Sequence, residues 1–286
     1  MPAAFWGTVT AISWGSADFI ARFTSGRLGL LAALCGMMVA SCVLLVAYAL
    51  ASGMPWVAPG EAWWAPLGAS VFIVVGTLLL YWGLVRGPIS VVSPIVAAYP
   101  VFSIGFALAE GLRPDLLQWL AIGGVLLGVA VVARYGRDAD SRAEAPPGGL
   151  PLTVLIAIGS AFTFALGIWF LQRSQPVYGE LQSLIAVRVF GALATLLLLF
   201  LLPSHRKPVP WRWWPVLAFQ GLLDGGAYLA IQIGSRGPDA AVAVVVASTF
   251  CLVPVLLARL VLREAITLPQ WLGIALTVAS VAVLSA

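Results

Sequence analysis

Ten apolar stretches, each close to a bilayer in length and set apart by Pro, Gly and charge clusters, constrain this chain more than any other feature. They run near 4–22, 29–51, 65–85, 90–109, 116–134, 152–171, 181–202, 214–234, 240–262 and 268–285. A membrane helix needs about 20 mostly apolar residues to cross about 30 Å of hydrocarbon. The composition agrees: 62% of the 286 residues are hydrophobic and 9% are charged, against about 25% charged in an ordinary soluble domain. No soluble core hides that much apolar surface. The expectation is an all-α integral membrane protein of ten transmembrane helices embedded in membrane lipid. Met1-Pro2-Ala3-Ala4-Phe5-Trp6 lacks the basic stretch that opens a secretory signal and reads as the start of the first helix.

The same composition narrows the chemistry. His205 is the single histidine, and Cys35, Cys42 and Cys251 match neither metal-ligand spacings nor a disulfide framework. No metal and no cofactor is expected. An enzyme would need a nucleophile with a base, or a metal cluster, inside the membrane, and the sequence offers neither. The net charge of +4 reads as the positive-inside bias of loops rather than as a nucleic-acid surface. All basic residues except Arg113, Arg173, Arg236 and the intramembrane Arg188 fall in connections after odd-numbered segments. That bias puts the connection between the fifth and sixth segments in the cytoplasm and both termini outside, in a multi-pass protein of the cytoplasmic (inner) membrane.

The chain reads as two halves. Residues 1–135 form the first, the Pro- and Gly-rich polar stretch 136–149 a linker, and residues 150–286 the second. Trp63-Trp64 recurs as Trp213-Trp214, Arg86-Gly87-Pro88 as Arg236-Gly237-Pro238, and Gln118-Trp119 as Gln270-Trp271, at offsets of 150, 150 and 152 residues. An odd number of helices per repeat makes the second half enter the membrane from the opposite face, which is the inverted-topology duplication of secondary transporters. Such proteins hold a small-molecule substrate near the midplane and alternate access by rocking one half against the other. A duplicated chain of this kind needs no second copy, so a monomer is expected.

Polar residues in hydrocarbon are costly, and a polar helical stripe faces protein or water. Gln220, Asp224, Tyr228 and Gln232 are spaced by four and span an arc of about 120°. Ser93, Tyr99, Pro100 and Ser103 share one face of the fourth segment, Ser70, Thr77 and Tyr81 one of the third, and Thr10, Trp14 and Asp18 one of the first. Trp14, Tyr81, Ser93, Tyr99, Trp169, Gln220, Asp224, Tyr228 and Gln232 are therefore the candidate substrate-binding residues. The competing reading is interhelical glue contributing about 1 kcal/mol each or less.

Asp224 and Arg188 lie within about 5 Å of each other in depth and form the candidate ion pair or coupling site. Either Arg188 pairs structurally with Asp224, or Asp224 binds an amino group or a proton during transport. Asp18 and Arg22, four residues apart near a helix end, suit a local ion pair. Pro94, Pro100 and Pro254 remove backbone hydrogen bonds inside segments four and nine and are the candidate hinges. Gly124 and Gly128 on segment five, with Gly273 and Thr277 on segment ten, predict close docking of those two helices.

Trp14-Gly15, Tyr81-Trp82-Gly83-Leu84 ahead of Arg86-Gly87-Pro88, Ala98-Tyr99-Pro100-Val101, and Arg263-Glu264 ahead of Gln270-Trp271-Leu272-Gly273 resemble the EamA family of the drug/metabolite transporter superfamily. The resemblance covers nearly the whole chain. The first half carries Gly111-Leu112 where the second has Arg263-Glu264. The resemblance implies two five-helix repeats and export of small metabolites, with amino acids the best-known substrates and YddG-type exporters of aromatic amino acids the members to compare first. Export of another small solute or a drug-like compound, and a non-transporting receptor or assembly role, are the alternatives.

Overall fold

The computed structural model describes every residue except 1, 2, 112, 114, 140–148, 203–208, 235–239 and 286. Most of the polar linker, His205, Arg206, Lys207 and the second Arg-Gly-Pro motif thus lie outside the described residues. Helices α1 (Ala3–Leu28), α2 (Leu30–Ala51), α3 (Trp64–Arg86), α4 (Ile89–Ala97), α5 (Tyr99–Ala109) and α6 (Leu116–Ala139) come first, α6 running on into the stretch read as linker. After it come α7 (Gly149–Leu201), α8 (Trp214–Gly234), α9 (Ala240–Ala247), α10 (Leu252–Leu257) and α11 (Leu268–Ser285). No strand occurs among the described residues.

Seven helical stretches are long and apolar enough to cross a membrane, and a shorter apolar helix covers Leu268–Leu284. One of the seven is α7, with 53 residues. At about 1.5 Å per residue a straight helix of that length would extend about 80 Å. It does not run straight: Gly179 has φ 73° and ψ 169°, outside helical geometry. The contacts show the outcome. A Cβ on Gly167 would lie 2.6 Å from Ile73, and one on Gly191 would lie 3.3 Å from Val74. Positions 12 residues before and 12 after Gly179 thus reach the same level of α3, so the two limbs of α7 form a helical hairpin.

Two further stretches read as single helices in the sequence are broken. Residues 90–109 divide at Ala98, whose φ of −77° and ψ of 6° end α4 and open α5. Pro100 then sits in the first turn of α5, where its missing N–H is not needed. Pro94 lies inside α4 without ending it. Residues 240–262 pass from α9 through a 3-10 turn at Ser248–Cys251 into α10, which holds Pro254, and end in a π-turn at Ala258–Leu262.

The anticipated docking of α6 on α11 is present: Gly273 and Gly128 approach so closely that a Cβ on Gly273 would lie 2.9 Å from the Gly128 carbonyl oxygen. The main apolar core gathers residues of α1 to α4, α6, α7, α8, α10 and α11, Leu34, Met38, Leu84, Ile95 and Ile274 among them. Around it Trp63, Trp64, Trp119, Trp211 and Trp214 lie exposed near helix ends, as membrane-interface aromatics do.

Candidate functional site

Where α1, α3, α5, α7 and α8 converge, a cavity of about 170 Å³ is lined by Trp14, Asp18, Thr77, Tyr81, Tyr99, Phe164, Arg188, Asp224, Tyr228 and Phe250, with apolar residues between them. Both halves of the chain supply its walls. Trp14 packs edge-on against Tyr228 at 5.0 Å and against Phe250 at 6.0 Å between ring centroids.

Arg188 and Asp224 form an ion pair at 2.7 Å, with their side chains 2% and 14% exposed. Ser41 donates a second hydrogen bond to the same Asp224 oxygen, Oδ2, at 3.0 Å, and the guanidinium stands 4.9 Å from the Tyr228 ring centroid. A buried pair survives when geometry and additional hydrogen bonds offset desolvation; Ser41 and Tyr228 supply them here.

Beyond one end of the cavity, a buried bridge ties three helices. Gln220 Nε2 donates to the Tyr81 hydroxyl at 2.7 Å, and Thr24 Oγ1 donates to Gln220 Oε1 at 3.0 Å. Gln220 is fully buried, so the residue read as cavity lining is a strut between α1, α3 and α8. The reason is helical drift. Steps of four advance about 40° each, so only Asp224 and Tyr228, in the middle of the stripe, face the cavity, and Gln232 does not line it.

Trp169 also lies elsewhere. Its indole N–H donates to Glu110 at 2.8 Å, and Arg173 stacks on its ring while pairing with Glu110. Phe164, Ile168 and Leu171 of the same limb face the cavity instead, and Trp169 is turned about 100° from Ile168. Ser93 is buried, its hydroxyl without a hydrogen-bond partner among the described residues, and the cavity takes Val96 and Tyr99 from that part of the chain.

The expected Asp18–Arg22 pair does not form. Arg22 Nη1 donates to the carbonyl oxygens of Leu84 and Gly87 at 2.7 and 2.8 Å, where the end of α3 leaves acceptors unsatisfied. Asp18 is left lining the cavity with Asp224. Its stripe with Thr10 and Trp14 was the signal that placed it; the i, i+4 arginine was the distraction. Glu264 is the other residue whose role the sequence hid. Its carboxylate accepts the backbone N–H groups of Ile89 and Ser90, at 3.0 and 3.2 Å, and so caps α4 from the far end of the chain.

A helical membrane protein with a largely apolar cavity that carries a few charged groups and is walled by both halves is the class this architecture defines. The description EamA-like transporter family matches residues 1–134 and 151–286, and the chain belongs to that family, a family of transporters rather than enzymes. An uncharacterized transporter of Synechocystis sp. is 26% identical over 229 residues, 78% of this chain and 66% of the relative, so the chain spans just under two thirds of that protein's length. A solved crystal structure superposes with a TM-score of 0.66 at 20% identity over 98% of this chain and 94% of the other, which speaks to the fold alone.

Proposed function

We propose that the chain is a ten-pass carrier of the inner membrane, built from inverted repeats over residues 1–135 and 150–286 with 136–149 as linker. It exports a small amphipathic solute bearing an amino group by alternating access. Amino acids, aromatic or other neutral ones as in YddG-type exporters, are the class to test first.

The observation that carries this reading is the cavity with walls from both halves and charged groups in its lining, the arrangement alternating access requires. Contacts related by the 150-residue offset support the repeat. Thr10 Oγ1 donates to the Ala227 carbonyl at 3.2 Å, and Ser160 Oγ to the Gly76 carbonyl at 2.8 Å; exchanging the halves turns one into the other within a residue. Gly29 and Gly179, likewise offset, both have positive φ, 90° and 73°, and both join consecutive helical stretches. Trp14 with Phe164, and Asp18 with Ile168, are offset pairs that line the same cavity. Its aromatic walls favour a solute with an apolar or ring-bearing part.

Counterflow in proteoliposomes, with a panel of labelled amino acids, amines and drug-like compounds, tests the carrier. Saturable exchange of at least one solute is expected. No movement of any compound by folded protein would favour a receptor or assembly role.

A further inference from the structure

We propose, resting on the carrier reading above but replacing its amino acids with amines, that the transported solute is a net monocation and that its ammonium group is held by Asp18. The charge of the cavity leads there. Its walls carry two carboxylates, Asp18 and Asp224, and one guanidinium, Arg188. Arg188 is committed to Asp224, which also receives Ser41. Arg22, one turn from Asp18, is committed to the Leu84 and Gly87 carbonyls. Asp18 therefore has no hydrogen-bond or ion-pair partner among the described residues, and formal charges leave the chamber one negative charge in excess.

A carboxylate at this depth is costly until a cation, a proton or water attends it. The walls beside it are the kind that receive an organic cation. Trp14, Tyr99, Phe164 and Phe250 line the cavity with Asp18, and aromatic faces attract ammonium groups more strongly when water is displaced. A zwitterion fits less well. Its carboxylate would enter a chamber whose guanidinium is taken and whose uncommitted ionisable group is another carboxyl. A phosphorylated solute fits worse for the same reason.

The discriminating probes share one ring and differ by one carboxylate: phenethylamine and phenylalanine. Equilibrium binding of each labelled compound to the purified full-length protein is expected to favour the amine by about tenfold or more, because both probes present the ammonium and only phenylalanine must also bury a carboxylate with no free partner. Asp18→Asn should lose that preference, Asp18→Glu should keep most of it, and both should retain the melting temperature of the parent within a few degrees. Equal or tighter binding of phenylalanine, unchanged amine binding by Asp18→Asn, or binding of neither probe by the parent would each overturn the assignment. The carrier reading is judged separately by the solute panel: transport of zwitterions alone removes the role of Asp18 and leaves the carrier standing.

Discussion

Arg188 on the second limb of α7 and Asp224 on α8 meet at 2.7 Å in the wall of the central cavity. The residues 150 positions earlier are Met38 and Val74, both buried in the apolar core. One half thus carries an ion pair where the other carries two apolar side chains, and the difference bears directly on stability. Removing one partner leaves the other charge buried and costs about 3–5 kcal/mol, whereas replacing both by apolar groups of similar size is often neutral. Asp224→Asn and Arg188→Met alone should each lower the melting temperature in detergent. Arg188→Met with Asp224→Val, the pair copied from the first half, should recover most of the loss and still fail to transport. A double variant no more stable than the singles would count against the pairing.

The α6–α11 seam depends on small residues. A Cβ on Gly128 would collide with the Gly273 carbonyl and Thr277, while one on Gly123 meets nothing within 4 Å. Gly128→Ala should therefore destabilise the protein. Gly123→Ala should be neutral or stabilising by about 0.5–1 kcal/mol, as alanine is in a helix. Thermal melts should show a lower midpoint for Gly128→Ala and no loss for Gly123→Ala.

Glu264 joins the approach to α11 to the start of α4 through two backbone N–H groups. Loss of such a cap costs about 0.5–2 kcal/mol. Glu264→Ala should lower stability by that order, with Glu264→Gln, which keeps an acceptor, falling between. Hydrogen exchange at Ile89 and Ser90 should accelerate in the alanine variant; unchanged protection there would remove the cap from the account.

At the far end of α5, the Trp169 indole, and after it Arg173, hold the Glu110 carboxyl below its ordinary range. A depressed value in the folded state gives stability that is present above the unfolded value and is lost as pH falls through the folded one. The parent should therefore melt slightly above Glu110→Gln at pH 7, and the two should converge below about pH 4. A gap that widens on acidification would show the opposite linkage.

What the sequence made legible follows from the period of its signals. Apolar runs about 20 residues long mark helices, and their positions held within a few residues for α2, α3 and α8. Breaks inside a continuous apolar run leave no such mark. The interruption at Ala98 and the 3-10 and π-turns around α10 arise from packing and from prolines whose effect depends on register. At the site, the polar stripes identified Trp14, Tyr81, Tyr99, Asp224 and Tyr228, all of which line the cavity. They overreached at Gln220 and Gln232 because drift carries the ends of a long stripe off the cavity face. Asp18 was misread, and the role of Glu264 missed, because their partners, or the absence of one, are set by residues 60 or more positions away.

In the proposed carrier, two halves of one chain stand in opposite senses across the bilayer. Arg27→Cys near the end of α1 and Val177→Cys just before Gly179 occupy positions 150 residues apart, both exposed. In a background with Cys35, Cys42 and Cys251 replaced, an impermeant thiol reagent applied to sealed vesicles of known orientation should label these two sites from opposite faces. Labelling of both from the same face would contradict the inverted repeat, and the carrier built on it.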